Sequence, residues 1–228
     1  MTVAGTGLTE KVAKSMGIDC ESVVLSPASH AGYYPSAKVM TMKVVFEKDT
    51  WKLLGAQIVG TEGVDKRLDV LATAMHAGMK ANLLKDLDLA YAPPFSSAKD
   101  PVNMAGFMIE NISKGMIKQY HWDEVKDLPR DGSVTLLDTR TAYEYKSGHI
   151  DGYINIPVDD LRDQLNELDR SKPVYVICQS GLRSYIACRI LSQNGFDCYN
   201  FSGGYRFYAS VIKEKEMSEY TYPCGMEK

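Results

Sequence analysis

Val174-Tyr175-Val176-Ile177-Cys178-Gln179-Ser180-Gly181-Leu182-Arg183-Ser184 is the stretch from which the fold of this chain can be read. Four apolar residues run into a cysteine. A short loop with a glycine follows, then an arginine and a segment of helical periodicity as far as Asn194. That order reads strand, tight loop, helix. Loop N–H groups and the positive end of the helix meet at the thiol, and both favour an anion there. Arg183 adds a fixed positive charge and a planar fork of donors. Cys178 and Arg183 are therefore the expected catalytic pair. Gln179, Ser180, Gly181, Leu182 and Ser184 are the expected substrate-binding wall of the cradle.

Two chemistries use such a cradle. A phosphate ester can pass through a phosphocysteine, or a sulfur atom through a cysteine persulfide. Four residues separate Cys178 from Arg183, one fewer than in phosphatase loops. A shorter loop curls tighter and suits a single sulfur better than a tetrahedral phosphate. Taken alone, a Cys–Arg pair reads equally well as a buried, inert thiol beside a solvated arginine.

Outward from the loop, short apolar strands alternate with helices. They fall at 134–137, 141–146, 154–156, 158–168, 174–177, 183–194 and 199–201. Alternation of this kind predicts an α/β fold around a mostly parallel sheet. Gly195 is placed to cap the helix after Cys178. Three further motifs flank the loop: Leu136-Leu137-Asp138-Thr139-Arg140 with Glu144, Gly148-His149-Ile150-Asp151-Gly152-Tyr153-Ile154-Asn155-Ile156-Pro157, and Phe201-Ser202-Gly203-Gly204-Tyr205. In this order the motifs resemble a single-domain rhodanese, a sulfurtransferase family, over residues 118 to 212. The resemblance implies that Cys178 takes sulfane sulfur from a donor and passes it to a thiol acceptor, with Arg183 as the loop arginine. It gives Asp138, Arg140, Glu144 and His149 structural roles. Two positions depart from the family pattern. Tyr153 stands where a small residue is frequent, and Gln179 where arginine is frequent, which favours a larger or less anionic sulfur donor.

The first half of the chain reads differently. Residues 8–17 predict a short helix ending at Gly17, and 20–34 an extended, loop-rich stretch. Met40, Met42, Val44 and Phe46 share one face of a strand over 39–46 by period two. A turn at 47–50 returns it along Leu53 to Val59 as a hairpin. Val64, Leu68, Leu71 and Met75 form one helical stripe. Residues 82–88 predict another helical turn and 101–112 a helix, with Pro93-Pro94 between them. Gly5-Thr6-Gly7 lacks the spacing of a phosphate loop and reads as a turn. His30 and His76 stand alone, as surface or satisfied residues.

Three stretches here carry a second resemblance: His30-Ala31-Gly32-Tyr33-Tyr34-Pro35; Leu54-Gly55-Ala56-Gln57-Ile58-Val59-Gly60 with Gly63-Val64-Asp65-Lys66-Arg67; and Tyr91-Ala92-Pro93-Pro94-Phe95-Ser96 with Asp100-Pro101-Val102-Asn103. Together they resemble the C-terminal dimerisation domain of pyridine nucleotide-disulfide oxidoreductases, over residues 1–112. The branch indicated is that of CoA-disulfide reductase with its NADH oxidase and persulfide reductase relatives, members of which can carry a C-terminal rhodanese domain. The His-Pro pair of the glutathione-reductase branch is absent. In the branch indicated, tyrosines reach the partner subunit's active site; Tyr91, and Tyr33 or Tyr34, match them, and are otherwise packing residues of a dimer interface. The resemblance implies a homodimer, with FAD, NAD(P)H and CoA serving the complete enzyme and no cofactor held by this chain, which carries no dinucleotide fingerprint. The FAD- and NAD-binding domains would precede residue 1, making the chain a C-terminal fragment or one half of a split enzyme.

The expected architecture is thus an α+β dimerisation domain over 1–112, with an antiparallel sheet and helices, a linker over 113–119, and an α/β rhodanese-like domain over 120–228. Net charge is −3 over 228 residues, with both signs interspersed and no basic stripe, so nucleic acid is not an expected partner. Apolar runs are too short to span a membrane, and the N-terminus lacks signal-peptide features. Five irregularly spaced cysteines predict neither a disulfide framework nor a zinc site, and no metal is expected. They point to a reducing compartment, the cytoplasm. The expected function is sulfur transfer through a Cys178 persulfide, as part of a flavin-dependent CoA-disulfide or persulfide reductase. A non-catalytic dimerisation and sulfur-docking module is the alternative, and a phosphatase a third reading that loop length disfavours.

Overall fold

Met42, Val44 and Phe46 alternate along a strand, and all three are fully buried. They belong to β3 (Thr41–Glu47), which turns into β4 (Leu53–Gly60). In the computed structural model, the backbone is described for residues 1–220 and side chains for residues 1–213, so Cys224 lies outside the described residues. The chain divides into two units, Met1–Met116 and Ile117–Lys228.

The first unit is a four-stranded antiparallel sheet with helices. Besides the hairpin it contains β1 (Thr2–Gly7), α1 (Glu10–Ser15), β2 (Cys20–Leu25), α2 (Val64–His76), a 3-10 helix (Ala81–Asp86) and α3 (Pro101–Ser113). Sheet order is β1-β4-β3-β2. The α2 stripe lies on the face of Met42, Val44 and Phe46: Val64 and Leu71 are buried there, with Leu68 and Met75 half-buried beside them. α3 adds Val102, Ala105 and Ile109 to the same core. Its start is fixed by Pro101 and by a capping box between Asp100 and Asn103.

One feature of this unit departs from the sequence reading. Gly5-Thr6-Gly7 is not a turn but the end of an edge strand, with Gly7 opposite Gly55. It has no apolar alternation because it is held by backbone pairing to β4 rather than by burial. The second sheet face is also covered: α1 brings Ala13 against Cys20, Val45 and Leu54. A register shift between Val45 and Phe46 accompanies burial of both residues.

The second unit is a five-stranded sheet of order β5-β9-β8-β6-β7, and every pairing is parallel. Its elements are β5 (Lys118–Tyr120), β6 (Thr135–Asp138), α4 (Ala142–Lys146), β7 (Ile154–Asn155), β8 (Val174–Ile177), α5 (Leu182–Gln193), β9 (Cys198–Phe201) and α6 (Gly204–Tyr220). Within the stretch 113–119 expected as linker, Ser113 closes α3, and Lys118 and Gln119 already pair with β9. The helix expected over 158–168 is a run of turns with a 3-10 helix at Leu165–Glu167. Bonds such as Asp163 N–H to Asp160 and Glu167 N–H to Gln164 span three residues, and they bring Leu161 and Leu168 into the core. β8 is central and covered on both faces. Val174 and Val176 pack with Ala187, Ile190 and Leu191 of α5, while Ile177 packs with Tyr120 and Phe201 on the other side. Its C-terminal end opens onto Cys178, where the crevice of a parallel α/β sheet places ligands.

Candidate active site

Cys178 follows the last residue of β8, and the chain reverses through Gln179, Ser180 and Gly181 into α5. Gly181 makes that reversal at φ 104°, a left-handed conformation that glycine supplies without strain. The thiol is 1% exposed. Its Sγ accepts the Gly181 N–H at 3.1 Å and the Ser184 hydroxyl at 3.2 Å. Both donors lie at the start of α5, whose dipole places positive charge at the sulfur.

The opposite side of the loop is fixed by α6. Tyr205 N–H donates to the Cys178 carbonyl at 2.8 Å, and Arg206 N–H to the Gln179 carbonyl at 3.1 Å. These bonds hold the Cys178 and Gln179 carbonyls toward α6, while the Gly181 N–H meets the sulfur. The approach requires Gly204: at φ 71°, a Cβ there would lie 2.6 Å from Ser180 N and 2.7 Å from Gln179 C. Sequence reasoning quoted the Gly203-Gly204 pair without this role. A glycine pair right after a strand was the available signal.

Two guanidinium groups flank the loop, and each has a carboxylate. Arg140 is buried, donates to both oxygens of Asp138 at 2.7–3.0 Å and to the Gly148 carbonyl at 2.8 Å, and reaches Gln179 Oε1 at 3.5 Å. The Tyr205 ring lies 3.9 Å from its guanidinium carbon. Arg183 donates from Nη1 and Nη2 to the two oxygens of Glu144, at 2.7 Å each. The fork expected to be free for substrate is thus occupied. That bond holds the Glu144 carboxyl at about 2, against the opposing effect of burial and with help from Thr141. The same bond raises Arg183, and the Cys178 sulfur adds to the rise.

The remaining expected residues divide by position. Ser184 is buried and holds the sulfur rather than lining an open wall. Ser180 is exposed, Gln179 and Gly181 are half-buried, and Leu182 is 60% exposed at the rim. Tyr153 fills core space: its hydroxyl meets that of Tyr120 at 3.0 Å, and burial pushes its phenol up to about 12. His149 hydrogen-bonds the Tyr145 carbonyl and stacks on that ring. Cys188 and Cys198 sit in the core beside one another, and burial pushes the Cys188 thiol up.

In the first unit, Tyr33 and Tyr91 come together. Their hydroxyls hydrogen-bond at 2.8 Å, and the rings are 77% and 48% exposed. The hydrogen bond to Tyr33 raises the Tyr91 phenol. Tyr34 instead packs edge-on against His30. Buried Arg67 ties the two tyrosine-bearing loops, donating to Ser29 O at 2.7 Å and Phe95 O at 3.4 Å, and pairing with Asp100 at 3.1 Å. Gly63, in the turn from β4 into α2, lies so close to Arg67 that a Cβ there would be 2.1 Å from its Nη1. Among the described residues, no helix is long and apolar enough to cross a membrane.

Comparison with known proteins matches both units. Residues 1–102 match the pyridine nucleotide-disulphide oxidoreductase dimerisation domain, and residues 121–210 the rhodanese-like domain. The coenzyme A disulfide reductase of Staphylococcus epidermidis is 40% identical over 106 residues, covering 46% of this chain and 24% of its own length. That of Staphylococcus haemolyticus is 40% identical over 111 residues, covering 49% and 25%. The crystal structure of reduced Bacillus anthracis CoADR-RHD superposes with a TM-score of 0.90 at 46% identity, over 93% of this chain and 38% of that one. A NAD-dependent persulfide reductase from A. fulgidus gives 0.80 at 38% identity, over 90% and 37%. The chain thus spans about a quarter of the length of these curated relatives. The chain is thus similar, over residues 1–102, to a pyridine nucleotide-disulphide oxidoreductase dimerisation domain and, over residues 121–210, to a rhodanese-like domain, in that order.

Proposed function

We propose that this chain transfers sulfur through a persulfide on Cys178. The observation that carries the reading is the pair of donors on one sulfur, Gly181 N–H and Ser184 Oγ–H, at the head of α5. The Cys178 thiolate attacks the sulfane sulfur of a donor. A new S–S bond forms at Sγ, the donor's S–S bond breaks, and the leaving group departs with the electron pair. A thiol acceptor R–SH then takes the outer sulfur as R–S–SH and restores the Cys178 thiol. Loop donors aimed at the sulfur stabilise the charge that builds there. Arg183 supports the loop from α5 through its paired carboxylate, Glu144.

In the complete protein this sulfur chemistry would serve a flavin- and NAD(P)H-dependent reductase acting on CoA disulfide or persulfides; the similar proteins are named coenzyme A disulfide reductase and NAD-dependent persulfide reductase. Tyr33 and Tyr91 would act there as a hydrogen-bonded pair at a two-fold interface. Their exposure, with that of Phe95, favours homodimerisation of the first unit. Free thiols at Cys20, Cys178, Cys188 and Cys198 favour a reducing compartment such as the cytoplasm.

A docking module without turnover is the second reading, and it draws on the burial of Cys178. The two separate by experiment. Incubation with thiosulfate or a thiosulfonate, then mass spectrometry, should find one added sulfur on the peptide of Cys178, and cyanide should remove it as thiocyanate. A chain that gains no sulfur, or gains it equally as Cys178→Ser, would leave the docking reading in place.

A further inference from the structure

We propose that Glu144 sets the charge of the sulfur donor that the Cys178 loop accepts, disfavouring the dianion thiosulfate relative to donors with fewer negative charges. This rests on the sulfur-transfer reading above and names the donor selectivity of the same site.

The neighbourhood of the loop holds two guanidinium groups close to it, and both are neutralised. Arg140 donates to both oxygens of Asp138, to Gly148 O and toward Gln179 Oε1, with its face against Tyr205. Arg183 gives both terminal nitrogens to Glu144. That second pair is preset rather than incidental. Glu144 Oε2 also accepts the Thr141 N–H at 3.0 Å and the Thr141 hydroxyl at 2.9 Å, as part of the capping box that starts α4. The carboxylate is thereby held in place from α4 while it meets Arg183 on α5. Directly after the cysteine stands neutral Gln179. Arg206, on the first turn of α6, is solvent-exposed, where its charge is screened.

Among the described residues, what remains for an incoming anion is the head of α5 and the Gly181 N–H. A helix N-terminus carries roughly half a unit of positive charge. Thiosulfate carries two negative charges and must approach a sulfur that is itself anionic when it attacks. A thiosulfonate undergoes the same displacement with one charge fewer. In both cases Cys178 Sγ bonds to the terminal sulfur and the donor S–S bond breaks. Sulfite leaves from thiosulfate, and a sulfinate leaves from the thiosulfonate. The two donors therefore differ chiefly in the charge that Arg183 would compensate if Glu144 did not.

The test uses the whole chain, with thiosulfate and methanethiosulfonate as donors and cyanide as acceptor. Glu144→Gln keeps the shape and an acceptor oxygen but removes the charge, leaving Arg183 a net cation. It should raise kcat/KM for thiosulfate relative to methanethiosulfonate by about tenfold, the effect of ~1.4 kcal/mol. Glu144→Asp retains the carboxylate and should keep the wild-type ratio. A structural role alone would move both donors together and leave their ratio unchanged. An unchanged ratio in Glu144→Gln, with Cys178 still loading sulfur from both donors, would overturn the role of Glu144 and spare the sulfur-transfer reading. A shifted ratio in Glu144→Asp matching that of Glu144→Gln would overturn it too. Failure of the wild-type chain to load sulfur from either donor would remove the sulfur-transfer reading and this inference with it.

Discussion

Replacing Gly204 by alanine should loosen the Cys178 loop, and the structure fixes the size of the effect. Gly204 has φ 71°, so an alanine pays the left-handed backbone cost of ~1–2 kcal/mol. Its Cβ would sit 2.6 Å from Ser180 N and 2.7 Å from Gln179 O. Those neighbours are backbone and cannot swing aside as a side chain can. The head of α6 must back away, which weakens the bonds from Tyr205 N–H to Cys178 O and from Arg206 N–H to Gln179 O. Each such bond is worth about 0.5–1.5 kcal/mol. The expected destabilisation is roughly 2–5 kcal/mol. Gly195→Ala is the internal control. It lies in the same unit at φ 82° with nothing within 4 Å of its Cβ, so it pays the backbone cost alone. Urea unfolding followed by fluorescence gives both values. A Trp51→Phe background leaves Trp122, which packs in the second unit, as the reporter. If Gly204→Ala were no more destabilising than Gly195→Ala, the close contact of α6 with the loop would be wrong, and with it the account of how α6 holds the loop that carries Cys178.

Further outcomes follow from the same geometry. Arg67→Ala leaves Asp100 buried and short of its main partner, so it should cost the first unit about 3–5 kcal/mol in urea melts; a loss below ~1 kcal/mol would show the network to be idle. Acid should act through Glu10 and Glu144, both held at about 2 from 4.5. For Glu10 burial works against the shift, and hydrogen bonds from Lys14 and Lys43 outweigh it; for Glu144 the bond from Arg183 leads. Because the folded values are depressed, their stabilisation is present above 4.5 and is lost as pH falls toward 2. Thermal melts across that range should show the loss in wild type and less of it in a Glu10→Gln, Glu144→Gln double variant; equal slopes would contradict the assignment. In light scattering at tens of micromolar the whole chain should run as a dimer, with Tyr33→Ala plus Phe95→Ala shifting it toward monomer. A monomeric wild-type chain would leave the exposed aromatics without this role.

The sequence was most legible where burial and chemistry coincide. The run 174–177 is apolar on both faces because β8 is covered on both sides, and it ends at the cysteine. The stripe of Val64, Leu68, Leu71 and Met75 announced α2 because one face alone meets the sheet. β1 escaped notice because this edge strand of Thr, Val, Ala and Gly, with Val3 exposed, is held by pairing with β4, which no periodicity encodes. The helix expected over 158–168 had the apolar spacing, yet three-residue turns bury the same leucines. At the site, the residues of the loop could be named, but not their partners. Glu144 and Arg183 are 39 positions apart, and only the fold brings a carboxylate onto the fork expected to face the substrate. Likewise Tyr33 and Tyr34 are equivalent as text, while the hydrogen bond to Tyr91 singles out Tyr33.

The central claim is that Cys178 carries sulfur, and intact-mass measurement tests it most directly. Wild-type chain incubated with methanethiosulfonate should gain the mass of one sulfur, mapped to the peptide holding Cys178 and removed by cyanide. Cys178→Ser should gain none there, while Cys188→Ala should load as wild type does, since Cys188 lies in the core on the inner face of α5. A wild-type chain that gains no sulfur, or a Cys178→Ser chain that gains as much, would contradict the account.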